Sequence, residues 1–327
     1  MPIRRLFADQ PVHLSKLPSF RAEHFPPSGP LPWLDRPDAF TQIEQKLKSG
    51  ALTLEEAEQC RHWATKGYIT LSRFIDDRLL DEVWDAYESS IRSGRIVLQP
   101  EKAGESDPYP GRFLNPHKKL GAFCEILKHP RLLRWLRVLL DRESKPLQTI
   151  ASHKGSQQSP HSDSIHMTTY PLGYLTAAWI AFEDIHPDSG PLVYYPGSQR
   201  LPYTFSKDVG ISEADFKREG YAAYQANYEP HVKQLIEKHD LEPHYFHAKK
   251  GDVLIWHANL LHGGSPRHDL SRSRRAMVCH YFAKGSFVYH DLASAKSKQQ
   301  YLGTCLLRTE TGEPSLLGRL GLFGKWR

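Results

Sequence analysis

Residues 174–198 read Tyr174-Leu-Thr-Ala-Ala-Trp-Ile-Ala-Phe-Glu-Asp-Ile185, then His186-Pro187, Asp188-Ser-Gly-Pro191, Leu192-Val-Tyr-Tyr195 and Pro196-Gly-Ser198. Two runs rich in β-branched and aromatic residues, each closed by glycine–proline turn chemistry, are the signature of short strands. The same grammar recurs on either side. Residues 147–152, 252–256 and 276–282 are further strand-like runs, and His262-Gly-Gly-Ser-Pro266 is another turn. A helical pattern over 212–239 interrupts them.

Upstream the period changes from two to about 3.6. Thr53-Leu-Glu-Glu56 opens a helix with cap-like residues and runs to about Lys66. Asp76-Asp77 caps a second helix through Ile91, with Leu79, Leu80, Val83, Trp84 and Tyr87 on one face. A third, over 129–141, sets Leu132, Leu133, Leu136, Leu139 and Leu140 against Arg131, Arg134, Arg137 and Arg142. Helices first and many short strands afterwards predict a mainly β protein with flanking α, a barrel or sandwich with an N-terminal helical layer. Eight of the 24 prolines fall in the first 37 residues, so residues 1–40 read as an extended arm whose end packs through Trp33, Leu34 and Phe40. The rest, 41–327, reads as one domain: a helical flank over 53–142, a strand core over 145–290 with a helical insertion at 203–245, and a tail over 291–327.

Composition narrows the function classes. The 327 residues are 39% hydrophobic and 24% charged, ordinary for a globular chain and unlike a disordered one. The longest uncharged apolar stretch, 167–182, is 16 residues with a proline and a glycine, short of the ~20 a membrane span needs. No apolar segment follows the basic start, so no secretory signal is expected. Four cysteines without a C-x-x-C pair give neither a disulfide framework nor a zinc ribbon, and a reducing cytoplasm is the expected location. The charge of +6 is mild, and no basic stripe with interleaved aromatics marks nucleic-acid binding. Oligomeric state is left open.

The chemistry concentrates at Pro160-His-Ser-Asp-Ser-Ile-His166, one part of a chain with 18 histidines. On an extended strand, residues two apart share a face, so His161 and Asp163 aim at one point. An imidazole and a carboxylate there supply two-thirds of the facial triad of non-haem Fe(II) oxygenases. The third ligand is sought on a later strand, where His257 and His262 follow Gly251-Asp-Val-Leu-Ile-Trp256. The glycines after His262 would let bare backbone approach a ligand closely. Arg274, twelve residues on, carries a fork that matches a carboxylate bidentately. Taken singly, an H-x-D, a histidine after a strand and the basic run Arg272, Arg274, Arg275 are commonplace; their order is not.

These stretches resemble the phytanoyl-CoA dioxygenase family of Fe(II)/2-oxoglutarate-dependent oxygenases. The matching text is Gly155 through His166, Ala178-Trp-Ile-Ala-Phe-Glu-Asp-Ile185, Asp188 through Ser198, and Trp256 through His280, within roughly 65–290. The resemblance implies a double-stranded β-helix (jelly-roll) core with His161, Asp163 and His262 as iron ligands. It further implies that Arg274 takes the distal carboxylate of 2-oxoglutarate and that Trp179 lies along that cosubstrate. A hydroxyl near the distal histidine assists in the family; Gly264 stands two residues after His262, so the role falls to Ser265. The implied reaction consumes O2 and 2-oxoglutarate, hydroxylates a small or medium-sized organic metabolite, and releases succinate and CO2.

Three positions depart from the family pattern: Ser162 where glutamine is common, Gln199 where histidine is, and Arg267 where asparagine is. None is a ligand, so they bear on substrate or loop shape. Asp163 argues against halogenation, since related halogenases carry a small residue there. His166, five beyond His161, falls on the opposite parity of a continuing strand, which makes it a pocket-lining candidate rather than a ligand. His257 reads as a core or supporting residue. Tyr170, Tyr174, Tyr194, Tyr195, Tyr203, Gln157, Gln158 and Gln199 are candidates to line the substrate pocket. The competing reading is a cupin-like metal protein that binds or isomerises a sugar or acid without O2; a nucleic-acid demethylase and a non-catalytic binding protein rank below it.

Overall fold

The computed structural model describes residues 31–98 and 107–292. Of the expected arm over 1–40 only the end lies within them, and the tail over 291–327 falls outside beyond Leu292.

The helical layer follows its caps. α1 (Ala39–Lys48), which the sequence pattern does not announce, precedes α2 (Leu54–Lys66). Thr53 Oγ1 accepts from the Glu56 amide at 3.1 Å while Glu56 Oε2 accepts from the Thr53 amide at 3.0 Å, a reciprocal capping box. Asp76 caps α3 (Asp77–Arg92) through the Arg78 amide, and Pro130 occupies the first turn of α5 (Pro130–Leu140), behind the short α4 (Ala122–Leu127). The buried face of α5 carries Leu132, Trp135, Leu136 and Leu139. Trp33 is buried as expected, and its indole donates to the carbonyls of Val138 and Leu139 near the end of α5. Phe40 is not an anchor: it is 52% exposed.

Six strands form one antiparallel sheet in the order β1-β8-β5-β10-β3-β2: β1 (Tyr68–Leu71), β2 (Phe113–Leu114), β3 (Ser144–Ser152), β5 (Leu175–Ala181), β8 (Val253–His257) and β10 (Ala276–Ala283). A smaller layer has β6 (Leu192–Tyr194) between β7 (His244–Phe246) and β9 (His262–Gly264), and β4 (Thr168–Tyr170) pairs with β11 (Phe287–Tyr289). Alternate side chains of the large sheet serve two cores. Ala178, Ile180, Val253, Ile255, Met277 and Cys279 pack against the helices. Trp179, Ala181, Leu254, Trp256 and Ala276 pack against Leu192 and Tyr194 of the small layer. Burial on both faces explains why β5 reads as a continuous apolar run and not as an alternation. The architecture is the mainly β core with flanking helices that the strand-and-turn pattern predicts, and its facing antiparallel layers are those of the jelly roll that the resemblance implies.

The helical interruption is two helices, α6 (Glu213–Glu219) and α7 (Tyr221–Lys238), broken at Gly220 with φ +59° and ψ −133°. Tyr224, Tyr228 and Val232 bury α7 against Ile165 and Leu261, beside the H-x-D stretch.

Two substitutions test this account. Thr53→Ala removes one half of the capping box and is expected to lower stability by about 1 kcal/mol. Leu136→Ala opens a void under a fully buried side chain and is expected to lose about 2–5 kcal/mol. Denaturant midpoints at unchanged slope check both.

Candidate metal centre

The N–H of His161 donates to the carbonyl of His262 and the N–H of His262 to that of His161, each at 2.9 Å. This antiparallel bridge extends the small layer, since His262 also faces Tyr194 across β9 and β6. Ser162 is still extended, but Asp163–Ile165 is a 3-10 turn, so the strand does not continue as the sequence reading assumes. The turn is pinned from outside: the Ser164 amide and hydroxyl donate to the Ala258 carbonyl at 3.2 and 3.0 Å. His161 and Asp163 converge nonetheless, and with His262 they place ligand atoms within 4.8 Å of one another, all three buried. The turn also overturns the parity argument for His166. It folds the chain back, so that the His166 ring stands 5.8 Å from that of His161.

The donor set is prepared for a cation. His161 Nδ1 lies 2.8 Å from the Ser159 carbonyl and His262 Nδ1 lies 2.9 Å from the Leu260 carbonyl. A carbonyl only accepts, so each Nδ1 carries a proton and Nε2 is the ring atom that faces the cluster. Burial, then the neighbouring His262, lowers the His161 pKa to about 4, so this imidazole is neutral at physiological pH. Burial alone would raise the Asp163 carboxyl, but His262 and His280 outweigh it and hold the group well below the usual carboxylate range. Burial and the adjacent His161 push His166 well below the ordinary histidine value. Two imidazoles and one carboxylate, brought together in one buried cluster, match the facial ligand set of a non-haem iron centre.

Asp163 does not present both oxygens equally. Its Oδ2 accepts from the Trp256 indole at 2.8 Å and lies 3.5 Å from His280 Nε2, whereas Oδ1 faces His262 Nε2 at 3.7 Å. Trp256 and His280 sit on either side of Ala177 in one row across β8, β5 and β10. The small residue between them lets both reach the same oxygen.

The three residues lie in a cavity of about 830 Å³. Arg274 lines it, with its guanidinium 5.5 Å from the Trp179 ring centroid and one N–H donating to the Gly190 carbonyl at 3.4 Å. Arg274 precedes β10 by two residues, so it shares a face with Ala276, Val278 and His280, which also line the cavity. Lys154 continues the β3 alternation Gln148, Ile150, Ser152 in the same way. Lys154 pairs with Asp107, and so does Arg267.

Other expected residues stand elsewhere. The Ser265 hydroxyl is turned away from the cavity, donating to the Pro191 carbonyl at 2.8 Å. His257 is 2% exposed, 3.1 Å from Asp35, and packs edge-on to Trp63. Of the pocket candidates, Gln157 and Gln158 line the cavity, but Gln199 and the five tyrosines do not; Tyr221 and Tyr224 of α7 do. The glycines after His262 admit neighbouring chain: a Cβ at Gly263 would meet the Gln158 carbonyl at 2.6 Å, and one at Gly264 the Gln157 amide at 2.5 Å. Trp256 and His280 were within reach of the strand period alone. Nothing local marks Tyr221, Tyr224 or His290.

Residues 63–276 match the family described as phytanoyl-CoA dioxygenase (PhyH). Human peroxisomal phytanoyl-CoA dioxygenase is 22% identical over 273 residues, 77% of this chain and 74% of that protein. A mouse phytanoyl-CoA dioxygenase domain-containing protein 1 is 44% identical over 124 residues, 36% of this chain and 41% of that protein. The non-heme alpha ketoglutarate dependent carbocyclase SnoK from nogalamycin biosynthesis shares the fold with a TM-score of 0.55 at 15% identity, over 73% of this chain and 87% of that one. EctD from S. alaskensis, in its structure with 2-oxoglutarate and 5-hydroxyectoine, does so with a TM-score of 0.53 at 18% identity, over 70% and 76%.

Trp256→Phe keeps the ring in place and removes the donor to Asp163 Oδ2. It is expected to weaken divalent-metal affinity about 10–100-fold, as loss of a supporting hydrogen bond to a ligand does; calorimetric titration with Mn(II) measures it.

Proposed function

The chain belongs to the phytanoyl-CoA dioxygenase family, and from that premise we propose that it is an Fe(II)/2-oxoglutarate-dependent dioxygenase hydroxylating a small or medium-sized organic metabolite. The observation that carries the reading is the buried His161–Asp163–His262 set with both Nδ1 atoms committed to backbone carbonyls, in one cavity with a buried arginine. Two imidazoles and a carboxylate oxygen would hold Fe(II), with 2-oxoglutarate and O2 taking the remaining positions. Bound there, the iron and its cosubstrate supply O2-dependent oxidation of a C–H bond, with succinate and CO2 released.

The protein's own part is orientation and exclusion of water. The Nδ1 bonds of His161 and His262 fix both ring planes and tautomers before metal arrives. Trp256 and His280 occupy Asp163 Oδ2, which favours attachment through Oδ1 alone and leaves a position open for the cosubstrate. Arg274, 4% exposed and held over Trp179, offers a fork to the distal carboxylate of 2-oxoglutarate, a charge-assisted contact strengthened by burial. His166 stands beside His161 at the cavity wall and contacts substrate in this reading. Trp179, Leu192 and Trp256 close the apolar side against water.

Family membership favours the oxygenase over the cupin-like metal protein. No helix among the described residues is long and apolar enough to cross a membrane. Cys60, Cys124 and Cys279 are free thiols, which supports the reducing cytoplasm as the location, although the human relative is peroxisomal.

Anaerobic titration with Fe(II) and 2-oxoglutarate should develop a visible metal-to-ligand charge-transfer band that Asp163→Ala changes or abolishes. Iron binding without a band would favour the cupin-like reading. Arg274→Ala should raise the 2-oxoglutarate dissociation constant about 10–100-fold, the loss of a hydrogen-bonded charge contact, while Fe(II) affinity stays within about twofold.

A further inference from the structure

The strands line the cavity with a mixed surface: Ile150, Ala276 and Val278 from β3 and β10 and Leu192 from β6, beside the polar Gln148 and Ser152 of β3. On the side of α7 it is a packed aromatic wall. The His166 ring lies 5.1 Å from that of Tyr224, 5.9 Å from Tyr221 and 5.7 Å from His290, between centroids. The wall begins beside the metal centre, because His166 is in edge contact with His161.

Its spacing limits what it can hold. Rings 5–6 Å apart are in van der Waals contact with one another, so no ammonium group fits between them as in an aromatic cage. What the wall offers is an outer face on which a ring can lie. Tyr224 is itself stacked on Tyr228, 4.9 Å away at 20°, so that face is braced from behind.

The surroundings of the wall are polar. Gln225 and Glu229 share α7 with Tyr221 and Tyr224, and Gln157, Gln158, Arg112 and Met167 line the same cavity. Arg112 donates to Gln158 Oε1 at 2.6 Å, and Glu229 accepts from the Ser159 hydroxyl at 2.9 Å. A fatty acyl chain gains its affinity by burying methylenes against apolar surface, and among the described residues the lining carried by α7 beside this wall is the polar Gln225 and Glu229. A guanidinium lining a cavity matches a carboxylate through its planar fork of N–H donors. Glutamines and a glutamate match hydroxyls.

Resting on the oxygenase reading, we infer that the substrate is a compact, hydroxylated, ring-bearing acid and not a fatty acyl thioester: its ring lies on the Tyr221–Tyr224–His166–His290 wall and its carboxylate meets Arg112. An aromatic acid and a sugar acid share this chemistry, the first stacking its π-face and the second its C–H face.

The test uses the full chain loaded with Zn(II) and saturating 2-oxoglutarate, which is redox-silent, and reads binding by saturation-transfer NMR and calorimetry. The probes are 7-hydroxycoumarin-3-carboxylate for the aromatic acid, methyl β-D-glucuronoside for the sugar acid and palmitoyl-CoA for the thioester. At least one ring acid is expected to bind, with Tyr224→Ala and Arg112→Gln each weakening it tenfold or more. Tyr224→Phe, which keeps the ring and the fold, is expected to bind within about twofold of wild type. Palmitoyl-CoA is expected not to bind. Binding of palmitoyl-CoA, failure of both ring acids, or indifference of ring-acid binding to Tyr224→Ala would overturn the inference. The charge-transfer band separates the two levels: if it forms and the ring acids fail, this inference falls alone, and if it never forms the oxygenase reading falls first.

Discussion

Two backbone hydrogen bonds between His161 and His262 hold the chemistry together. The two residues are about a hundred positions apart, and no local preference brings them near each other. What does is the small layer, in which β9 lies beside β6 and the His161 bridge completes the row. Because the pairing is antiparallel and direct, the two imidazoles leave the backbone side by side, with ring centroids 4.7 Å apart. Each then secures its own tautomer with a carbonyl two residues back. A ligand set built on loops would have to order those rings when the metal arrives. One built on paired backbone has that order from folding.

The carboxylate is positioned by different means. Asp163 sits on a turn, and its orientation depends on the large sheet facing it. The row Trp256–Ala177–His280 crosses three strands, and its outer members converge on one oxygen because the middle residue has almost no side chain. Ala177 is fully buried, so there is no space for a larger group without displacing one of its neighbours. The candidate metal site therefore lies between two layers, with histidines fixed by one and the carboxylate aimed by the other. This explains why neither layer alone reads as a site.

Much of this was legible. The strand runs, the three early helices and the order of H-x-D, strand, His-Gly-Gly and arginine follow from residue type and period, and the structure puts His161, Asp163, His262, Trp179 and Arg274 around one cavity. The failures have physical causes. Period-two reasoning carried the strand past Asp163, but Ser164 finds a better partner in the Ala258 carbonyl than in a neighbouring strand. His166 was consequently placed by the wrong geometry. Ser265 stood at a plausible spacing, yet its hydroxyl satisfies the Pro191 carbonyl. The glycines after His262 looked made for a ligand and instead accommodate residues 157 and 158. Tyr221 and Tyr224 were invisible because their place depends on how α7 docks. That packing is decided by Tyr228, Val232 and distant Leu261.

The basic groups in and beside the cavity raise a question that the half-buried Asp107 answers. Lys154 and Arg267 are 2% and 0% exposed at their side chains, and Arg274 is 4% exposed, so three cations are withdrawn from water. Without a counter-ion their desolvation would not be repaid. Asp107 takes Lys154 and Arg267 together, and its carboxyl is held down despite the opposing effect of burial, through the Tyr109 amide, Arg267 and Lys154. One carboxylate thereby ties the end of β3 to the β9–β10 connection, two segments that both contribute to the cavity. It also divides the labour among the cations. Lys154 and Arg267 are joined through it, and Arg274, its guanidinium over the Trp179 ring, lines the cavity together with His161, Asp163 and His262.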